Sequence, residues 1–303
     1  MKIGINGTGL VQKASTDAII AHATQAHAEG FGSYWLAEHP TGGFDALTVL
    51  TAVGIKIPGL KLGTAIIPTW PRHPAVLAGQ ATTTNNIING NLTLGIGLSH
   101  QPMMAELGIG FDKPIRHLKD FLGVLMPLIE EGSVKIEGEM LSASARFFRQ
   151  SESDLPVLVA ALGPQALRVT GRLADGTILA WVGPKTISDH IAPTLNEAAA
   201  NAGRPTPQIV ASLPVCVTDN EADVRARIGK GLRMYGQLPS YRAMFDREGV
   251  EGPADVAIVG SSAQVGDGIE AMRSAGVTEF SPTEFFTNPE EAVRTREFLV
   301  SLL

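Results

Sequence analysis

The chain has 303 residues, a formal net charge of −6 at pH 7, 44% hydrophobic and 18% charged residues. This composition predicts a large buried core and argues against a disordered chain and against a nucleic-acid binder, which normally carries a basic excess. A single cysteine excludes an intrachain disulfide, and the sequence has no Cys/His cluster that would indicate a metal site. It also has no apolar run long enough for a signal peptide or a membrane span, so we expect a cytoplasmic protein.

Short β-rich runs alternate with helical patterns along the whole chain. The predicted strands are Lys2–Ile5, Ser33–Ala37, Leu60–Ile67, Leu92–Ile96, Pro156–Ala160, Gly176–Ala180, Gln208–Val217 and Glu279–Pro282. The predicted helices between them are Thr16–Glu29, Pro74–Ile88, Pro164–Leu173, Lys185–Ala202, Asn220–Tyr235, Ser262–Ala275 and Asn288–Ser301. About eight strand–helix units predict an α/β fold with a parallel sheet, and favour a closed (β/α)8 TIM barrel that forms a single domain over residues 1–303.

Two gaps between predicted strands are longer than the others, after the fourth strand and after the seventh. The first, Gln101–Asp154, holds a predicted helix near Arg116–Glu131 and a polar stretch, Gly132–Ser153, that could pair as short strands. The second is Tyr235–Gly260. Insertions of this kind in a barrel sit at the carboxyl ends of the strands, so we expect both to shape the active site.

The glycines of Gly4-Ile5-Asn6-Gly7-Thr8-Gly9-Leu10-Val11-Gln12 look like the start of a dinucleotide-binding fold. Gly7 and Gly9 fit the first two positions of Gly-x-Gly-x-x-Gly, but Gln12 stands at the third, where glycine allows close packing of helix and strand. Glu38 lies well beyond the roughly 20-residue spacing of the acidic residue that binds the ribose. A flexible loop after the first barrel strand explains the glycines equally well.

Polar residues directly follow the second and fourth predicted strands. Glu38 and His39 come after the second strand, and Ser99 and His100 after the fourth. Barrel chemistry takes place at that edge, so His39 is a candidate general acid or base whose tautomer Glu38 could fix, and His100 could face a ligand. The structural alternatives are loop histidines with satisfied hydrogen bonds and a structural hydrogen bond for Glu38.

Small residues at two other strand ends suggest ligand contacts. Gly95 in the fourth predicted strand and Gly97 directly after it would let a flat ring or a backbone approach closely. The fifth strand leads through Ala161-Leu162-Gly163-Pro164 into a helix, whose free backbone N–H groups and dipole attract an anion such as a phosphate. An ordinary βα turn would look the same.

The chain from Lys2 to the last predicted helix resembles the bacterial luciferase-like monooxygenase superfamily of flavin and deazaflavin barrels. The segments that carry the resemblance are Leu62-Gly63-Thr64-Ala65-Ile66-Ile67-Pro68, His73-Pro74-Ala75-Val76-Leu77-Ala78, Leu94-Gly95-Ile96-Gly97, Ala160-Ala161-Leu162-Gly163-Pro164 and Gly171-Arg172-Leu173-Ala174-Asp175-Gly176. It is most similar to the sub-group that uses the deazaflavin coenzyme F420, which includes glucose-6-phosphate and secondary-alcohol dehydrogenases and methylenetetrahydromethanopterin reductase. This implies hydride transfer between coenzyme F420 and a small organic substrate, in a homodimer built by helices near the second and third units.

The resemblance also implies roles for single residues. A cis peptide bond between Ala65 and Ile66 would support the central ring, and His39 matches the family's histidine after the second strand. The residues that would contact the cofactor are Ala65, Ile66, Gly97, Leu98, Ser99, Ala161, Leu162, Gly163 and Pro164. His39 would move a proton as the hydride moves, and His100 could do the same.

Two positions depart from the sugar-phosphate dehydrogenases of this sub-group. Thr41-Gly42-Gly43 stand where those enzymes have an aromatic residue, and His100 stands where they have a glutamate. Glucose 6-phosphate is therefore not the expected substrate. Three alternatives stay open: an FMN-dependent monooxygenase of the same superfamily, a non-enzymatic flavin-binding barrel, and a nicotinamide dehydrogenase, which would need the first strand in the centre of an open sheet.

Overall fold

Over residues 1–13 and 15–303, which the computed structural model describes, nine parallel strands form a nearly closed barrel. In chain order the strands are β1 (Lys2–Ile3), β2 (Ile5–Asn6), β3 (Ser33–Leu36), β4 (Lys61–Thr64), β5 (Ile67–Pro68), β6 (Leu92–Gly97), β7 (Ser133–Glu137), β8 (Ser142–Arg146), β9 (Val157–Ala160), β10 (Gly176–Ala180), β11 (Gln208–Ser212), β12 (Pro214–Val217), β13 (Ile258–Gly260), β14 (Glu279–Phe280) and β15 (Thr283–Glu284). The barrel order is β1-β14-β11-β10-β9-β6-β4-β3-β2. Since Gly4 alone separates β1 from β2, both ends of this order belong to one interrupted first strand, as in a (β/α)8 barrel.

Helices follow most of the barrel strands. They are α1 (Thr16–Ala28), α2 (Ala46–Lys56), α3 (Pro74–Ile87), α4 (Gln101–Glu106), α5 (Pro114–Glu130), α6 (Pro164–Leu173), α7 (Pro184–Thr186), α8 (Ala192–Asn201), α9 (Glu221–Gly231), α10 (Arg233–Gln237), α11 (Pro239–Glu248), α12 (Ser262–Ser274) and α13 (Pro289–Val300). A 3-10 segment at Thr8–Lys13 follows the first strand, and a π-helical turn at Ile187–Ile191 joins α7 to α8. Within the described part of the chain, none of these helices has the length and apolar character needed to cross a membrane.

The long segments carry most of the additional elements. Between β6 and β9 lie α4, α5 and the antiparallel hairpin of β7 and β8, which confirms the pairing predicted within Gly132–Ser153. Between β12 and β13 lie α9, α10 and α11.

The predicted strand Gln208–Val217 is wrong as a single element. It breaks at Leu213 into β11, which pairs in the barrel with β10 and β14, and β12, which pairs with β13 and β15 in a separate sheet. A continuous apolar run gives no sign of such a break, because both pieces are buried. The helices α2 and α11 were not predicted. In α2, Thr48, Val49 and Val53 are β-branched residues, which weaken a helical signal.

The first strand closes a barrel and does not lie in the centre of an open sheet, as the alternative of a nicotinamide dehydrogenase would require. The backbone N–H of Gly4 donates to Phe280 O, and that of Gly7 donates to Trp35 O, both at 2.9 Å. A Cβ atom on Gly7 would lie 1.8 Å from the hydroxyl of Tyr34. This glycine is therefore explained by close packing against β3 and not by a bound pyrophosphate.

Candidate active site

The ends of the third, fourth and fifth barrel strands form an apolar surface made of small side chains. Ala65 and Ile66, between β4 and β5, are joined by a cis peptide bond, where the resemblance implied one. Together with Ala160 they pack on an apolar cluster of four side chains, Trp35, Leu158, Ile178 and Val210. A Cβ atom on Gly97 would lie 3.1 Å from both Ile66 and Ala160. We call Ala65, Ile66, Gly97 and Ala160 the apolar bed.

The two glycines of β6 are needed for different structural reasons. A Cβ atom on Gly95 would lie 1.9 Å from the carbonyl oxygen of Thr64. The Thr64 hydroxyl also donates to Gly95 O at 2.7 Å and accepts from Gly95 N at 2.8 Å. Gly95 therefore lets the backbone of β4 approach, whereas Gly97 keeps the apolar bed flat.

The helix α6 begins without a side-chain cap. Gly163 is its N-cap residue, is exposed, and has no heavy atom within 4 Å of where its Cβ would lie. Pro164 occupies the first turn, and the free N–H groups behind it have no internal acceptor. Ala161 is buried and Leu162 half-buried, with His190 Nε2 2.8 Å from Leu162 O. His190 thus holds the backbone of this turn, while the space beside Gly163 is open.

A neighbouring helix start shows what an occupied site of this kind looks like. At α7 the carboxylate of Glu248 accepts from the backbone N–H groups of Lys185 at 3.1 Å and Thr186 at 2.7 Å. The protein thus fills one anion site with its own carboxylate and leaves the one at Gly163 open. This donor set and the free space fit a phosphate, so the residues present are compatible with a phosphate-bearing cofactor.

Leu98 and Ser99 form the turn between β6 and α4. Ser99 has a φ of 58°, in the left-handed region that non-glycine residues enter at a cost. Its hydroxyl lies 3.7 Å from the sulfur of Met103, and Leu98 packs against the core. His100 follows as the residue before α4, and its side chain does not cap that helix.

Glu38 and His39 are adjacent in sequence but have different partners. Glu38 is held by Arg72 and by the backbone N–H of Ala46, at 3.2 Å from Oε2. His39 is exposed, and its Nδ1 lies 3.2 Å from the hydroxyl of Thr41. In this structure Thr41, rather than Glu38, is the side chain in hydrogen-bond reach of the His39 ring.

The two candidate histidines lie close enough to interact. Burial lowers the pKa of His100 below its ordinary value, and the charge of His39 lowers it further. His100 is therefore neutral at neutral pH, with one ring nitrogen able to accept a proton. The residues that follow the second and fourth strands therefore influence each other electrostatically.

Aromatic rings cover the site on the side of the fourth and sixth strands. Trp181, directly after β10, lies 5.6 Å from Tyr235, which lies 5.5 Å from Tyr241 in an edge-to-face arrangement. The His100 ring is 6.0 Å from Tyr235 and 5.6 Å from Tyr241. Burial raises the pKa of both tyrosines, so their hydroxyls stay protonated at neutral pH. We call Trp181, Tyr235 and Tyr241 the aromatic wall.

The sequence analysis missed Arg72 and the aromatic wall. Trp181 carries the same signal as His39, because it directly follows a strand that was predicted at its true limits. Tyr235 stood at the end of the predicted helix Asn220–Tyr235, which breaks at Leu232 into α9 and α10, and Tyr241 lies on α11, which was not predicted.

Fold and site together define a TIM barrel whose candidate site lies at the carboxyl ends of its strands. Residues 3–279 match the model of the luciferase-like monooxygenase family. The chain is also 24% identical over 250 residues to the 5,10-methylenetetrahydromethanopterin reductase of Methanolobus tindarius, a match that covers 82% of this chain and 76% of that protein. The chain therefore belongs to the luciferase-like monooxygenase family and is an enzyme.

Solved structures share this fold over nearly the whole chain. The coenzyme F420 dependent tetrahydromethanopterin reductase from Methanopyrus kandleri has a TM-score of 0.81 at 21% identity, over 99% of this chain and 97% of its own. The oxygenating constituent of 3,6-diketocamphane monooxygenase from Pseudomonas putida, in complex with FMN, has a TM-score of 0.76 at 17% identity, over 99% and 96%. At these identities the likeness establishes the barrel fold.

Proposed function

We propose that the protein is a coenzyme F420-dependent oxidoreductase that transfers a hydride between the deazaflavin and a small, uncharged organic substrate. The observation that carries the proposal is that an apolar bed, an open helix start and two interacting histidines meet at one edge of the barrel. The reductase from Methanolobus tindarius and the F420-dependent structure from Methanopyrus kandleri support the choice of cofactor.

The residues that would hold the cofactor form two groups. Within the apolar bed, Ala65, Ile66 and Gly97 would support a flat ring on one face. Backbone groups from Leu98 to Ser99 and from Ala161 to Pro164 would hold the phosphate, where the N–H groups at the start of α6 are free. When bound, the deazaflavin supplies the centre that accepts or gives up the hydride, and the protein supplies position and electrostatics.

His39 would move the proton that accompanies the hydride. Its side chain is exposed at the strand edge and is not held by a carboxylate, so it can reach a substrate oxygen or carbon. Such a group typically contributes 10²–10⁴-fold to the rate. His100 is the competing candidate, because its lowered pKa keeps it neutral and able to accept a proton. Glu38 would hold the loop in place through its contact with Arg72 and would take no part in the proton transfer.

The aromatic wall supports an uncharged and preferably planar substrate. Rings favour stacked or edge-on contact with flat apolar molecules, and the two tyrosine hydroxyls can donate hydrogen bonds. Arg72, the cation that binds the carboxylate of Glu38, is already held by Glu38 and Asp45. It is therefore a poor partner for the phosphate of a sugar phosphate.

The main alternative is an FMN-dependent monooxygenase, supported by the FMN complex of the 3,6-diketocamphane enzyme. The deciding experiment is a titration of the purified protein with coenzyme F420 and with FMN, followed by ligand or tryptophan fluorescence. We expect micromolar or tighter binding of coenzyme F420 and much weaker binding of FMN. Tighter binding of FMN than of coenzyme F420 would overturn the proposal.

A further inference from the structure

A groove of about 590 Å³ lies between the first turns of α5 and α6. The lining residues that matter here are Lys113, Arg116, Lys119, Glu139, Gln165 and Val169. The helices of a barrel begin at the carboxyl ends of the strands, so this groove opens at the same rim as the candidate site. None of its residues has a role in the mechanism above.

The groove has a surplus of positive charge. Lys113 Nζ lies 2.6 Å from one carboxylate oxygen of Glu139, and Arg116 Nε lies 3.0 Å from the other. Lys119 is exposed, and its ammonium has no carboxylate partner among the ion pairs of the described residues. Three cations therefore face one carboxylate, and an anion that enters the groove finds Lys119 free.

The groove begins next to the helix start that is proposed to bind the phosphate. Gln165 lies in the first turn of α6, directly after the open start formed by Gly163 and Pro164, and Val169 lies one turn further. Because Gln165 and Lys119 both line the groove, a ligand that continues from this helix start into the groove passes between α6 and α5.

We propose that this groove binds the carboxylate-bearing tail that follows the phosphate of the deazaflavin coenzyme, and that it thereby distinguishes this coenzyme from FMN, which ends at its phosphate. The inference rests on the proposed function, because it needs the phosphate at the start of α6. Exposed single ion pairs contribute little, but several carboxylates against several cations in one groove add up, and their sum falls as salt rises.

The test compares coenzyme F420 with FMN on four forms of the full-length protein, by fluorescence titration at low and at high salt. The variants are Lys119→Glu, Glu139→Gln and, as a control for the same charge reversal outside the groove, Lys230→Glu on α9. We expect Lys119→Glu to weaken coenzyme F420 binding by about five- to ten-fold at low salt and FMN binding by less than about two-fold. Glu139→Gln should tighten coenzyme F420 binding, and Lys230→Glu should change neither.

The opposite signs at Lys119 and Glu139 separate a charge effect from a loss of structure, which would weaken binding in both variants. If Lys119→Glu leaves coenzyme F420 binding unchanged, or weakens FMN binding equally, the proposed role of the groove is wrong and the proposed function is unaffected. An unmodified protein that fails to bind coenzyme F420 would overturn the proposed function, and the groove with it.

Discussion

Arg72 reaches from the end of the third barrel strand to the end of the second and holds both carboxylate oxygens of Glu38. One of these contacts is 3.1 Å long, and the same guanidinium also donates to Asp45 at 2.8 Å. Asp45 is the N-cap of α2, where it accepts from the backbone N–H of Thr48. The loop that carries His39 is therefore fastened at both ends by one side chain.

We expect Arg72→Ala to destabilise the protein by about 2–3 kcal/mol, since it leaves the largely buried carboxylate of Glu38 without its charged partner. Arg72→Lys should recover only part of this, because an ammonium cannot make the bidentate contact. Urea unfolding followed by circular dichroism measures both. The matched control is Arg273→Ala, which breaks an exposed pair with Glu270 and should cost within about 0.5 kcal/mol. Equal losses in Arg72→Ala and Arg273→Ala would contradict this assignment.

The interaction of the two histidines predicts a measurable change in a pKa. Because protonated His39 disfavours protonation of His100, His39→Ala should raise the pKa of His100 toward its ordinary value. It should still stay below that value, since burial is the larger cause. NMR titration of the histidine ring signals measures the change, with His27→Ala as a remote control. A His100 pKa that does not move in His39→Ala would mean that the two rings do not interact.

Turnover separates the roles of the same two residues. His39→Ala should leave coenzyme F420 affinity nearly unchanged and lower kcat by about 100-fold or more, as expected for a lost proton-transfer group. His100→Ala should have the smaller effect on kcat. Steady-state kinetics with an uncharged aromatic aldehyde or ketone as the first substrates tests this. Full turnover in His39→Ala with loss in His100→Ala would reverse the two roles.

The sequence predicted the barrel and the residues at the carboxyl ends of its strands, because strand–helix alternation and the residue that follows each strand are local properties. His39, His100 and Gly163 were proposed as site residues in this way. Sequence order misled for Glu38, which was predicted to act on its neighbour His39, whereas its carboxylate is bound by Arg72 from the turn between β5 and α3. Tertiary pairing of this kind leaves no periodic trace in a single sequence.

The open start of α6 predicts opposite effects on stability and binding. Gly163→Asp should leave stability unchanged or raise it by a few tenths of a kcal/mol, since aspartate is a good N-cap and the site has free space. It should weaken coenzyme F420 binding at least about ten-fold, or 1.4 kcal/mol, because the new carboxylate takes the N–H groups that the phosphate needs. Thermal unfolding and fluorescence titration measure the two effects. Gly163→Ala, which adds no charge, is the control, and equal affinities in the two variants would show that the phosphate binds elsewhere.

The two glycines of β6 should differ sharply when mutated. Gly95→Ala would push a methyl group into the carbonyl of Thr64, so we expect a loss of roughly 3 kcal/mol or more, or an unfolded protein. In Gly97→Ala the methyl group would lie 3.1 Å from both Ile66 and the Cβ of Ala160, a smaller overlap than at Gly95, so stability should fall by only about 1 kcal/mol while cofactor binding weakens. Urea unfolding and cofactor titration test the contrast. Similar stabilities for both variants would contradict the geometry at Gly95.

The pairing of Lys2 with Glu279 has a consequence for how the chain is made. On the ribosome the first residues emerge long before their partners, so the first strand and β11 have neighbours on both sides only after nearly the whole chain has been synthesised. Until then the growing sheet has open edges, and open edges can pair with other chains. The short strand β14 is therefore what turns an aggregation-prone nascent sheet into a closed one, although it contributes only two residues.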